Sequence, residues 1–168
     1  MRRLERPYII DIEASGFGPD GYPIEVGIAM EADQRFCSLL HPVKGWTFWD
    51  KQAEKLHLVP RQILVAYGRP LREVAMDLNR LLSGKTVYSD GWVVDQPWLT
   101  KLFYAAHVPQ DFRISALELI LTEAQMAIWH DTKDRLEREM HLHRHRASDD
   151  AQLIQETYIQ TLHETGEA

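Results

Sequence analysis

An apolar run that leads straight into two acids constrains this chain more than any other feature of its sequence. Tyr8-Ile9-Ile10 is followed at once by Asp11-Ile12-Glu13. The pattern predicts a first strand over residues 8–13, apolar and then alternating. Side chains two apart on a strand project from the same face, so Asp11 and Glu13 put two carboxylates on one side. Unpaired charges on a strand that begins as core are costly. Either the strand ends at Asp11 and water solvates both acids, or a metal ion compensates them.

Short strands and helices follow in turn. Residues 15–22 contain Gly16, Gly18, Pro19, Asp20 and Gly21, a strong turn signal. Residues 24–30 (Ile-Glu-Val-Gly-Ile-Ala-Met) predict a second strand and 35–40 a third, joined by a short turn over 31–34 into an antiparallel meander. Asp50 suits the cap of a short helix over 50–57. Leu71, Val74, Ala75, Leu78, Leu81 and Leu82 fall at helical spacing behind Pro70, and Ser83-Gly84 ends that helix. A fourth strand is expected over 86–89 and a helix over 95–106, with Pro97 in its first turn. A fifth strand over 112–115, one or two helices over 116–140 and a last helix over 147–164 complete the reading. This order makes an α/β layer fold with a mixed sheet. With 168 residues, no repeat and no linker-like stretch, a single domain over 1–168 is expected.

Two further polar stretches carry chemistry. Asp95 precedes Gln96-Pro97-Trp98-Leu99, by itself an ordinary helix N-cap. His145-Arg146-Ala147-Ser148-Asp149-Asp150 leads into the last helix; Ser148 suits an N-cap there, and the two aspartates complement the helix dipole. Taken singly, each is helix-start chemistry.

In combination and in this order, these residues resemble the DEDDh family of 3′→5′ exonucleases, which includes the proofreading subunit of bacterial DNA polymerase III, RNase T and oligoribonuclease. Asp11-Ile12-Glu13-Ala14-Ser15-Gly16-Phe17 is similar to the family's first motif, and Ile24-Glu25-Val26-Gly27 to the second-strand pattern after it. Asp95 with Trp98-Leu99 resembles the second motif; His145, Ala147 and Asp150 match the third. The resemblance runs from Tyr8 to about Tyr158. The His-Asn that usually opens the second motif is replaced by Asp90-Gly91, which alters a contact around the substrate rather than the metal ligands.

The resemblance implies an RNase H-like fold, a mixed five-stranded sheet flanked by helices. It implies two-metal hydrolysis of phosphodiester bonds at the 3′ end of single-stranded DNA or RNA. Asp11, Glu13, Asp95 and Asp150 would then ligate two Mg²⁺ or Mn²⁺ ions, with Asp11 bridging; oxygen ligands suit such hard cations. His145 would act as general base, a task that suits an imidazole whose unperturbed pKa is about 6.5. Phe17 would pack against the terminal base, and the backbone at Ala14, Ser15 and Gly16 would hold the terminal sugar.

Charge narrows the possibilities. Lys and Arg number 19 against 25 Asp and Glu, a formal charge of −6. A protein that grips long nucleic acid by charge alone is usually basic. Bound cations would supply much of the attraction for phosphate instead. Arg113, Lys133, Arg135, Arg138, Arg144 and Arg146 give the C-terminal half some basic character, and Arg144 and Arg146, flanking His145, are the phosphate candidates. Arg2 to Arg6 reads as a solvated lead-in without the apolar core of a signal peptide. No stretch approaches the roughly 20 apolar residues of a membrane span. The single cysteine, Cys37, fits a reducing compartment, so a cytoplasmic location without a membrane partner is expected. The absence of an appended binding module favours short or single-stranded ends.

Trp46, Phe48 and Trp49 share one loop, as a satellite core or as a surface for bases or a partner; Trp46, Trp49 and Trp129 are candidates for a homodimer interface. Two rival functions remain at this point. His141, His143 and His145 alternate as zinc ligands can. The same fold could also serve as a catalytically silent module that binds nucleic acid or protein, although all five catalytic positions hold the required residue types.

Overall fold

Five strands form one mixed sheet in the order β3-β2-β1-β4-β5, in a computed structural model that describes residues 6–31, 34–142 and 145–166. The early lead-in residues Arg2 and Arg3, the middle of the 31–34 turn, and His143 with Arg144 lie outside the described residues. β1 (Tyr8–Ala14) is central, antiparallel to β2 (Pro23–Ala29) and parallel to β4 (Thr86–Ser89). β3 (Arg35–Leu39) runs antiparallel to β2, and β5 (Arg113–Ala116) parallel to β4. This is the mixed five-stranded sheet expected from the sequence. Among the described residues six helices flank it: α1 (Lys51–His57), α2 (Arg61–Tyr67), α3 (Leu71–Leu82), α4 (Trp92–Ala106), α5 (Glu123–Met140) and α6 (Ala147–Glu164). None of them is long and apolar enough to cross a membrane.

Alternation along β1 separates two apolar layers. Ile10 and Ile12 join Val26 and Ile28 against Val74 and Leu78 of α3 and Trp98, Leu99 and Leu102 of α4. Ile9 faces the other way and joins Ala29, Trp129 of α5, and Ala151 and Ile154 of α6. Burying each such aliphatic side chain contributes roughly 1.5–3 kcal/mol. Asp11 and Glu13 share the face of Ile9, the side that α6 covers. Across the antiparallel pair, Asp11 lies opposite Gly27 and Glu13 opposite Glu25. Beyond Glu13 the register shifts, so that Ala14 pairs with Pro23. Such irregularities commonly re-aim side chains beside functional sites. β1 pairs with β4 only at Tyr8–Val87 and Ile9–Tyr88. The strands part above that point and leave a crevice at their C-terminal ends, where α/β sheets commonly bind ligands.

Several expectations are corrected. Asp95 is not an N-cap: α4 starts at Trp92 behind Gly91, and the amides of Val94 and Asp95 bond to the Gly91 carbonyl. The Asp90-Gly91 reversal starts the helix earlier than the proline indicated. Pro97 consequently sits deeper than the first turn; its missing N–H leaves the Val93 carbonyl without its usual partner, at a residue 79% exposed, where water can serve. Ser148 is not a cap either, because α6 opens at Ala147 with Arg146 in the cap position. Trp129 is 8% exposed within the second core and presents no interface. α2 has no counterpart in the sequence reading: only Leu64 of this short helix is buried, so no apolar periodicity marks it. The cap at Asp50 is as expected, with its carboxylate accepting the Gln52 amide at 2.8 Å.

Gly27 marks where α6 meets the sheet. A Cβ there would lie 2.2 Å from Ala147 C and Ser148 N. Two backbones touch at this point, and any side chain would push the start of α6 away. Gly27→Ala should therefore lower the unfolding free energy by about 3 kcal/mol in denaturant titrations, in the range of severe overpacking. Gly84→Ala is the control: its φ is +70° but nothing lies within 4 Å, so only the left-handed backbone cost of about 1–2 kcal/mol applies.

Candidate metal centre

The C-terminal end of β1 and the start of α6 meet over the crevice. Ligand atoms of Glu13, His145 and Asp150 all lie within 4.8 Å of one another, a spacing that one metal ion can bridge. Asp11, two residues before Glu13 on the same face, has a buried Oδ2 with no hydrogen-bond partner among the described residues. Burial, then the charges of Asp95, Glu13, Asp150 and Asp90, hold its carboxyl well above the usual carboxylate range. A carboxyl in that position is stable only protonated or beside a cation.

Asp95 reaches the same crevice from the opposite layer. It is 4% exposed. Its Oδ2 accepts the Ser89 hydroxyl at 2.5 Å, and the backbone N–H of Ile12, where β4 no longer pairs with β1, favours its charged form. Burial pushes Asp95 up to about 7; the Ser89 hydrogen bond opposes this and the charge of Asp90 adds to it. Ser89 also accepts the Gly91 amide at 3.0 Å, tying the strand end to the helix start. Asp90 is paired with Lys133 of α5 at 2.8 Å.

His145 adopts a left-handed backbone, φ +60°, uncommon for a residue with a Cβ. Its N–H donates to Asp150 Oδ2 at 3.0 Å, so one acid both lines the cluster and holds the turn carrying the imidazole. Arg146, expected at phosphate, is engaged inside the protein. Its guanidinium forks onto Glu25, with Nη2 at 2.7 Å from Oε1 and Nε at 3.2 and 3.1 Å from the two oxygens. Cys37 donates its thiol to the same Oε1 at 3.1 Å. Burial, reinforced by the Glu25 charge, pushes that thiol up to about 11, so it stays neutral.

The loop after β1 is tightly fixed. Ser15 is buried; its hydroxyl accepts the Tyr22 amide at 3.1 Å, its own amide donates to Tyr22 O, and its carbonyl accepts Asp50 N–H. Gly16 is required by close approach, since a Cβ would lie 2.7 Å from both Asp50 Cβ and Phe48 Cε1. Next to it Phe17 is 75% exposed. Trp46 stacks on Tyr22 at 5.2 Å and Trp49 tilts against it at 6.4 Å, a satellite core that leaves Phe48 as the exposed aromatic of the three.

Sequence reasoning therefore named the acids and the histidine that meet here, and missed Ser89 and the Glu25–Arg146 pair. Glu25 did leave a signal, a lone charge in a run otherwise apolar enough for a strand buried on both faces. Ser89 left none. The donors, carboxylate oxygens with one imidazole, fit a hard divalent cation, and the orphaned Asp11 oxygen gives that cation a reason to bind.

No protein-family model matches the chain, and no curated protein matches it in sequence. Its fold is similar to that of exonuclease I. The zinc-bound complex of E. coli exonuclease I with single-stranded DNA superposes with a TM-score of 0.69 at 11% identity, over 98% of this chain and 41% of that one. The E. coli enzyme bound to a dA16 oligonucleotide gives 0.67 at 12% identity, over 94% and 40%. Exonuclease I from Methylocaldum szegediense gives 0.56 at 12% identity, over 72% and 28%. The chain thus spans roughly two fifths or less of these exonucleases. At such identities the likeness establishes the fold, an α/β domain of the RNase H-like type.

The carboxyl shifts set a pH dependence. Asp95 titrates at 3.8 in an unfolded chain and about 7 in the folded one. Between those values the folded state binds the extra proton, so stability falls as pH rises through the window; Asp11 acts with the same sign. In EDTA, the Tm should decline from pH 4 to 7 and Asp95→Asn should flatten the decline. Mn²⁺ at neutral pH should raise the Tm, as expected of a ligand that binds only the folded state. A Tm that climbs across this window in EDTA would contradict the assignment.

Proposed function

We propose that this protein is a metal-dependent nuclease that removes nucleotides from the 3′ end of single-stranded DNA or RNA. The observation that carries the reading is the meeting of Glu13, His145 and Asp150 within 4.8 Å, beside a buried Asp11 oxygen that has no partner among the described residues. The exonuclease I neighbours were captured with single-stranded DNA and a dA16 oligonucleotide, which supports the substrate class.

Asp11, Glu13, Asp95 and Asp150 would hold two Mg²⁺ or Mn²⁺ ions. Bound there, the cations would neutralise charge on the phosphoryl oxygens and acidify a water. His145 accepts the proton that the attacking water loses as its oxygen bonds to phosphorus. The bond from phosphorus to the 3′ oxygen of the preceding nucleotide breaks, and a 5′-mononucleotide leaves. Asp150 holds the His145 amide and with it the turn that aims the imidazole. Phe17, 75% exposed at the mouth of the first-motif loop, offers a face on which the terminal base stacks. The backbone of Ala14 and Gly16 lies at the sugar of that nucleotide, and Ser15 between them, buried with its amide and carbonyl bonded to Tyr22 and Asp50, holds the loop in place. A protein with a lone, neutral thiol works readily in the reducing cytoplasm.

The direct experiment follows 5′-labelled single strands, one ribo- and one deoxyribo-oligonucleotide of matched sequence, in Mg²⁺ or Mn²⁺. Stepwise shortening from the 3′ end is expected for at least one of them, and EDTA should stop it. Asp11→Ala and Asp150→Ala should abolish turnover while circular dichroism stays unchanged. His145→Ala should slow it by about 10²–10⁴-fold, the usual contribution of a general base. Binding without turnover in either metal would reject the nuclease in favour of a silent binding module.

A further inference from the structure

We infer that Glu25 is a positioning residue for His145, setting the turn that aims the imidazole by holding the two residues that follow it. The inference takes its functional meaning from the nuclease reading, but its geometry stands alone. His145 is left-handed, φ +60°, a conformation that side chains with a Cβ disfavour and that neighbouring contacts must therefore maintain. On its C-terminal side those contacts converge on one carboxylate. Glu25 takes the Arg146 guanidinium through Nε and Nη2. Its Oε2 also accepts the Ala147 amide at 3.2 Å, so a strand residue supplies the helix cap that α6 lacks locally.

Glu25 is fully buried, where a carboxylate needs partners of this kind. Half of the Arg146 side chain reaches the surface, so the pair is anchored at the Glu25 end. Glu25 is also the cross-strand partner of Glu13. One strand pair therefore sets the position of a candidate metal ligand and of the candidate base together. Two residues on, Gly27 lets the Ala147 backbone sit directly on β2. The apolar run with one glutamate and one glycine thus becomes a docking site for the start of α6.

This placement separates two roles for Arg146. If it holds phosphate, Arg146→Met raises KM and Glu25→Gln does little. If the pair positions His145, both variants lower kcat by about 10- to 100-fold, the cost of displacing a catalytic group by about an ångström. In that case KM stays within about twofold and the double variant is no worse than the poorer single one, since both break the same contact. Arg146→Lys, which keeps the charge without the fork, should restore only part of the rate.

A readout free of activity is the imidazole NMR signal of His145, assigned by its loss in His145→Gln. It should shift or broaden in Glu25→Gln and in Arg146→Met. Should Glu25→Gln fail to fold, Arg146→Met tests the contact from its exposed end. An unmoved His145 signal, or a rise in KM alone, would overturn the inference. A wild-type protein without nuclease activity would sink the nuclease reading, and the NMR comparison would still decide whether Glu25 fixes the turn.

Discussion

Carboxylates crowd the C-terminal end of β1, and their mutual repulsion is the constraint around which the rest of the molecule is arranged. Asp11, Glu13, Asp95 and Asp150 act on one another there, and Asp90 and Glu25 lie at the margins. Like charges that close would drive the elements apart unless each were settled. The settlements differ. Glu25 has Arg146 and Asp90 has Lys133. Asp95 has the Ser89 hydroxyl, and Asp150 has the His145 amide. Asp11 keeps a buried oxygen without any partner among the described residues. The marginal acids are neutralised by cations of the chain itself, and the central one lies beside the cluster that could hold a cation from outside.

The sheet makes this crowding possible. β1 is buried on both faces near its start, and its pairing with β4 stops at Ile9. Beyond the last β1–β4 pair the Ile12 amide favours the charged form of Asp95, the acid that α4 brings to this end of the parallel strands. On the other side, the register shift after Glu13 turns the chain into a loop that Ser15, Tyr22 and Asp50 lock by backbone and hydroxyl hydrogen bonds. The loop is buried and hydrogen-bonded where it passes the acids and exposed from Phe17 to Asp20. Such a division suits a site that must hold fixed charges and still admit the end of a strand.

The larger outline was legible in the sequence because it rests on local periodicity. Apolar alternation at Tyr8 to Glu13 and helical spacing from Leu71 to Leu82 each correspond to an element. What escaped depends on partners distant in the chain. Ser148 is a good cap by local rules, but Glu25 occupies that role from β2 and α6 begins at Ala147, two residues before a Ser148 cap would start it. Arg146 beside a histidine reads locally as a phosphate candidate, and its bond to the buried Glu25 leaves no local sign. Asp95 before Gln96-Pro97 looks like a cap until Asp90-Gly91 starts the helix sooner. At the two helix starts a remote or upstream group overrode the local signal, and at Arg146 it added a partner that no local pattern shows.

The acidic balance of the chain follows from the same arrangement. A basic groove would attract phosphate everywhere along its length. Here Arg146, Lys133 and Arg135, three of the basic residues of the C-terminal half, are each paired with an acid, Glu25, Asp90 and Glu164. Their charge is spent on holding the structure together. On the proposed nuclease reading, the attraction for a phosphodiester would be concentrated at the acids and would depend on the cation held there. Affinity and catalysis would then rise and fall with the same metal, and a strand would be held at its end, where that metal sits, rather than along its length.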